Sequence, residues 1–163
     1  MRDIQELQIE QYGTDGSVSA PTREEIEAVE GLVGVPLPDA YLGFLRQCNG
    51  GYPEVGVFWV RDEGSAYPWA VGRFYSLTSD PKIERYGETV LWNVVHRPPV
   101  VGQRLLPIAE DAGGNQFYIG LSNQEAQPVL VYIHDEPDAP FVVLAASFED
   151  FIDGLQPDDE QDA

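Results

Sequence analysis

Apolar positions recur at helical spacing early in this chain, at a spacing of two through its middle, and at helical spacing again near its end. Ile4 and Leu7, with Ile9 beyond them, predict a short N-terminal helix, and the turn-rich stretch 13–20 (GTDGSVSA) reads as a loop. A longer helix is predicted from Pro21. Thr22 can accept from the backbone three residues on, and Glu25 can reach back to complete a capping box. Ile26, Val29, Leu32 and Val33 then form one apolar stripe, with Glu24, Glu25 and Glu27 near the end where the helix dipole favours anions, and Gly34 closes it. A second helix opens at Leu37-Pro38-Asp39, with Pro38 in the first turn. It buries Tyr41, Leu42, Phe44, Leu45 and Cys48 and stops at Asn49-Gly50-Gly51, residues that tolerate the left-handed conformation. Joined through Gly34-Val35-Pro36, the two predict a helical hairpin.

Strands follow. Val55 to Val60 and Ala70 to Leu77 alternate, and Arg61 to Trp69 between them reads as a polar loop rich in Gly and Pro. Pro81 to Val95 carries a helical stripe of Ile83, Tyr86, Val90 and Leu91, broken by His96-Arg97-Pro98-Pro99. Leu105 to Ala109 and Gln116 to Leu121 predict a hairpin across the turn at 111–115. Val129 to Ile133 and Phe141 to Ala145 predict two more strands, linked by 134–140. Ser147 caps a last helix bearing Phe148, Phe151, Ile152 and Leu155, and an acidic, disordered tail is expected from Pro157.

Helices, then antiparallel strands, then a helix define an α+β class. The expected architecture is an N-terminal helical hairpin, a meander-like antiparallel sheet of about five or six strands, and a C-terminal helix. The expected organisation is an extension over 1–20, one domain over 21–156 and a tail over 157–163. The length of 163 residues fits one domain that needs no disulfide or metal to fold. Cys48 is the only cysteine, so no disulfide framework exists within the chain. The N-terminus lacks the apolar stretch of a signal peptide, and no run approaches the roughly 18 apolar residues of a membrane span. The cytoplasm is the expected location.

Charge changes the picture most. There are 28 Asp and Glu against 9 Lys and Arg, a net of −19. Without the four acids of the tail the body still holds 24 acids against 9 bases, a net of −15. Such a field repels nucleic acid and anionic membrane and attracts basic partners, although solubility alone would also account for it.

Four segments in order resemble the SUKH superfamily, the Smi/Knr-like domain. The first is Glu25-Ile26 with Glu30, Gly34, Leu37-Pro38, Tyr41, Phe44-Leu45 and Asn49-Gly50-Gly51. Leu106 to Asp111 with Gly114-Asn115 form the second, and Val131-Tyr132 followed by His134-Asp135 the third. The fourth is the closing run from Ala146 to Ile152. The match spans about Pro21 to Leu155, departing in the N-terminal 20 residues and at Asn115, where the family often has Asp. The resemblance implies binding rather than catalysis. Bacterial members are immunity proteins that neutralise polymorphic or contact-dependent toxins, often nucleases, and fungal members are signalling scaffolds. The family shares no catalytic residues, so none carries over.

The residues agree. Cys48 falls on an apolar helix face and reads as a core thiol. His134, Asp135, Glu136 and Asp138 match no metal-binding spacing, and no phosphate loop, dinucleotide fingerprint, zinc pattern or nucleophile elbow occurs. No catalytic residue, cofactor or metal is expected. The binding candidates are Tyr52, Trp59, Asp62, Glu63, Tyr67 and Trp69, which mix aromatic anchors with acids, together with Glu110, Asp111, Asp135 and Glu136 as a rim. Trp59 and Trp69 fit a core role equally well. The leading expectation is an immunity protein holding a basic toxin domain through an acidic, aromatic-bearing face, with no nucleic acid or membrane partner, as a monomer or weak homodimer. The alternative is a scaffold or regulatory interaction domain with no toxin partner.

Overall fold

The computed structural model describes residues 1–11, 18–81, 83, 88–96, 104–138 and 140–158, and only the backbone of Asp62. Parts of the expected 13–20 loop, of the 81–95 helix including Tyr86, of the break at 96–99 and of the tail after residue 158 lie outside the described residues.

A short 3-10 helix, Ile4–Leu7, opens the chain, followed by strand β1 (Ile9–Glu10). Helix α1 (Arg23–Val33) carries the full capping box of Thr22 and Glu25 and ends at Gly34 with φ 81°. Helix α2 is Asp39–Gln47. Strands β2 (Tyr52–Pro53), β3 (Val55–Asp62), β4 (Ser65–Ala70) and β5 (Arg73–Phe74) come next, then helix α3 (Val90–His96). The chain closes with β6 (Leu105–Glu110), β7 (Gln116–Gly120), β8 (Val129–Tyr132), β9 (Phe141–Ala145), helix α4 (Phe148–Gly154) and β10 (Gln156–Pro157). Among the described residues all strand pairs are antiparallel and fall in three sheets: β1-β2, β10-β3-β4, and the meander β5-β6-β7-β8-β9.

One core joins these pieces. Phe117, Ile119, Val129 and Val131 of the five-stranded sheet, Tyr41, Phe44 and Leu45 of α2, and Phe148, Phe151 and Ile152 of α4 are all buried in it. Its centre is aromatic: the Phe148 ring stands edge-on to Tyr41 at 5.3 Å and to Phe44 at 5.4 Å, and Phe44 meets Phe74 at 5.0 Å. Ile4 and Leu7 belong to the same core, and Arg2 fastens the N-terminus to α4 by donating to the carbonyl oxygens of Ile152 and Leu155.

Several sequence expectations change. The segment from Arg61 to Trp69 is a β-hairpin, not a loop. Glu63 (φ 40°) and Gly64 (φ 83°) both adopt the left-handed conformation that a two-residue hairpin turn requires. The strand expected over Ala70 to Leu77 is divided, because the chain leaves one sheet after Ala70 and enters another at Arg73. The single expected sheet is three sheets. Within the helix expected over Pro81 to Val95, the described helix α3 begins at Val90, and it includes His96. Pro38 is the N-cap of α2 rather than part of its first turn. Helix α1 packs against α3, a contact the expected hairpin with α2 did not anticipate.

The Asn49-Gly50-Gly51 run also differs from a plain helix stop. Helix α2 ends at an extended Cys48, before the run begins. Asn49 is buried and works as a junction: its amide donates to the carbonyls of Ser19 (2.9 Å) and Leu77 (3.0 Å), and its Oδ1 accepts from the Leu77 N–H (2.8 Å). Ser76 Oγ donates to the Asn49 carbonyl at 2.7 Å. Gly50, at φ 89°, lies so close to this segment that a Cβ would stand 2.9 Å from the Ser76 nitrogen and 3.0 Å from the Phe74 oxygen.

Candidate binding surface

The β3–β4 hairpin positions most of the aromatic candidates. Cross-strand partners share a face of the sheet, so the register Phe58↔Trp69, Val60↔Tyr67 and Trp59↔Pro68 sorts them. Phe58 and Trp69 face inward: Phe58 stacks on Phe151 at 5.3 Å, and both are half-buried against the core. Val60 and Tyr67 continue that face toward the tip, beyond the core, and Tyr67 is 61% exposed. Trp59, half-buried, lies on the opposite face beside Pro68. Glu63 is exposed in the turn, and Asp62 precedes it with its side chain outside the described residues. Tyr52 stands apart on β2, paired with Glu10 and 44% exposed.

The four other candidates meet around a second turn, and two of them are already engaged. Glu110 is held by Arg73, which reaches it from Nε at 2.8 Å and Nη2 at 2.6 Å while Nη1 grips Glu88 at 3.1 Å. Asp111 builds the turn itself: Oδ1 accepts from the Gly113 and Asn115 N–H groups at 2.9 and 2.8 Å, and Oδ2 accepts from the Asn115 amide at 3.0 Å. Asn115 Oδ1 accepts in turn from the His134 N–H at 3.1 Å, and His134 Nε2 lies 2.8 Å from the Gly113 oxygen. These bonds clip the 134–138 connection onto the turn and leave Asp135 and Glu136 exposed beside it. The turn adjoins the base of the hairpin, where the Gly72 N–H donates to the Glu110 oxygen at 2.8 Å.

Acidic charge is spread over several elements. Glu24, Glu25, Glu27 and Glu30 lie on α1, Asp3 and Glu6 at the N-terminus, Asp135, Glu136 and Asp138 between β8 and β9, and Glu149, Asp150 and Asp153 on α4. Of the bases, Arg2 pairs with Glu6, Arg23 with Glu27, and Arg73 with two carboxylates. Charge of this kind acts as a field around the molecule, and the aromatic side chains provide the local features.

The single thiol is poorly placed to act as a nucleophile. Burial pushes the Cys48 thiol above its usual range, against a weaker opposing pull from the Gln11 amide, and so away from the nucleophilic thiolate. A cavity of about 460 Å³ beside it is lined by Gln5, Gln8, Gln11 and Gln47 together with Ile4 and Ile9. Among the described residues no group of three or more His, Cys, Asp and Glu side chains is arranged to hold a metal ion. Among them, too, no helix is long and apolar enough to cross a membrane. Sequence reasoning missed the Arg73–Glu88–Glu110 cluster, since its members lie far apart in the chain and only the pairing of β5 with β6 brings Arg73 to Glu110.

The SPbeta prophage-derived uncharacterized protein YokK of Bacillus subtilis (strain 168) is 27% identical over 160 residues, covering 84% of this chain and 76% of its own length. No solved structure matches significantly. The pattern of the SMI1 / KNR4 family (SUKH-1) matches residues 20–154. With most of its length accounted for in this way, the chain belongs to the SMI1 / KNR4 family, SUKH-1.

Proposed function

We propose that this chain is an immunity protein that binds and neutralises a cognate polymorphic or contact-dependent toxin, a nuclease, in the cytoplasm and without a chemical step of its own. The observation that carries the proposal is Tyr67, a large aromatic 61% exposed on the outer strand of a hairpin that runs past the core. A rigid aromatic so placed offers contact area at little entropic cost, as interface anchors do. Glu63 lies in the same hairpin turn, Trp59 adds an aromatic on the hairpin's other face and Tyr52 one on β2, with Asp135 and Glu136 contributing charge near the hairpin base. A nuclease cleft is basic because it holds phosphate, and a chain of net charge −19 steers toward it.

The test is titration of this protein, by calorimetry, with a toxin-like domain encoded beside its gene, at about 0.05 and 0.5 M salt, where exposed charge pairs are respectively felt and largely screened. Tight binding that survives high salt, with loss of the toxin's nuclease activity, is the expected result. Weak binding to many basic proteins, all lost at high salt, would favour the scaffold or a plain solubility role.

A further inference from the structure

From the edges of the sheets we infer a second contact: β9 accepts an extended segment of a partner protein as an added antiparallel strand, one that is apolar in its middle and basic at both ends. The inference rests on the binding role proposed above and names a mode for it.

Two of the sheet edges, β4 and β9, differ. On the hairpin side the edge is β4, and Pro68 within it lacks an N–H, a usual way of blunting an edge against further pairing. On the five-stranded sheet one edge is β5, bridged to Gly51 at Phe74, and the other is β9, whose sequence FVVLA contains neither Pro nor charge. The Ile133 N–H donates to the Pro140 oxygen. Alternation along an antiparallel pair therefore turns the N–H and C=O of Val142 toward β8 and those of Phe141 and Val143 outward. Among the described residues nothing pairs with these outward groups. The open stretch ends at the register shift opposite Val129 and Leu130. On its outer face Val143 is 58% exposed opposite half-buried Leu130, and the Tyr132 and Phe141 rings meet at 5.1 Å.

Charge selects the occupant. No charged residue lies between Asp138 and Glu149, although the chain carries −19 overall. Exposed Asp135, Glu136 and Asp138 precede β9, and exposed Glu149 and Asp150 follow it. A second copy pairing antiparallel would set the Asp138 end of one strand against the Glu149 end of the other, acid on acid. An incoming strand with basic ends and an apolar centre meets opposite charge at both ends and apolar surface at Val143. Strand addition of this kind draws its affinity from main-chain hydrogen bonds and its selectivity from alternate side chains.

The test uses the full chain and a nonapeptide, blocked at both termini, with Lys-Arg at each end and alternating Val and Thr between; the same peptide with Glu-Asp ends is the control. Amide exchange and chemical shifts are followed by NMR. The basic peptide is expected to bind and to slow exchange at Phe141 and Val143, and the acidic one to leave both unchanged. Val143→Pro, which removes one outward N–H, and Val143→Lys, which adds a repelling charge without touching the ladder, are each expected to weaken binding about tenfold or more. Three results would overturn the inference: shifts confined to the β3–β4 hairpin, self-association through β9, or no binding of the basic peptide. The first leaves the immunity role standing with a different contact surface. Protection of Phe141 and Val143 by peptide, combined with no binding of the toxin domain, would instead sink the immunity role and leave this surface in place.

Discussion

Asn49→Ala tests whether the junction after α2 holds the fold together. The substitution strips two donations, to the Ser19 and Leu77 carbonyls, and leaves the Leu77 N–H without its acceptor. Leu77 is 1% exposed, so water cannot readily replace the lost partner there. A buried group left unpaired costs about 1–3 kcal/mol, and the Ser19 carbonyl, nearer the surface, recovers most of its loss from water. The expected destabilisation is about 3 kcal/mol, a large part of the roughly 5–15 kcal/mol typical of a domain. For a chain of this size it corresponds to a fall in Tm of about 6–12 °C. Urea unfolding followed by tryptophan fluorescence measures it. The control is Asn123→Ala, which removes only an exposed bond to the Glu125 N–H and should cost less than about 0.5 kcal/mol. A loss below about 1 kcal/mol for Asn49→Ala, or equal losses for the two variants, would refute the reasoning.

Three further outcomes follow from single side chains. The Tyr41 hydroxyl is buried with no hydrogen-bond partner among the described residues, so Tyr41→Phe should be neutral or stabilising by up to about 1 kcal/mol; a clear loss in the same urea assay would show that the hydroxyl is bonded. Burial alone would raise the Glu25 carboxyl, but donors from Thr22 and Ser79 together outweigh it and hold the group below its usual 4.5. Its folded-state value is thus depressed, its contribution is present above about pH 4.5, and that contribution is lost as pH falls through the folded value. Glu25→Gln should accordingly flatten the acid side of the stability profile and leave the basic side unchanged, as read by Tm against pH. Tyr67→Ala should leave stability within about 0.5 kcal/mol while weakening toxin-domain binding tenfold or more in calorimetry; unaltered affinity would remove the hairpin from the interface.

Local chemistry explains which elements were legible in the sequence. The caps at Thr22–Glu25, Gly34 and Ser147 are satisfied by residues within a few positions of themselves, so spacing alone reveals them. Strand β4 was hidden because five of its six residues are exposed, which erases the alternation that a half-buried strand shows. Asn49 was misread for a different reason. Asn followed by two glycines has a sufficient local meaning as a helix stop, and the partners that give it its other role lie 28 positions away at Leu77 and 30 away at Ser19.

The same distinction governs the binding surface. Residue type alone ranked Glu110 and Asp111 with Asp135 and Glu136, because every carboxylate in an acidic chain has the character of a rim. The fold separates them: Glu110 is paired with an arginine 37 positions earlier, and Asp111 is consumed by the turn it builds, whereas Asp135 and Glu136 stand exposed to solvent. A carboxylate already holding two or three donors has little left to offer a partner, and breaking those bonds would oppose any affinity gained. Aromatic residues divide the same way. Trp69 faces the core beside Phe58, and two positions along the same face Tyr67 has passed beyond it. Burial and local bonding thus sort the candidates, and the fold leaves Tyr67, Tyr52, Glu63, Asp135 and Glu136 at the surface.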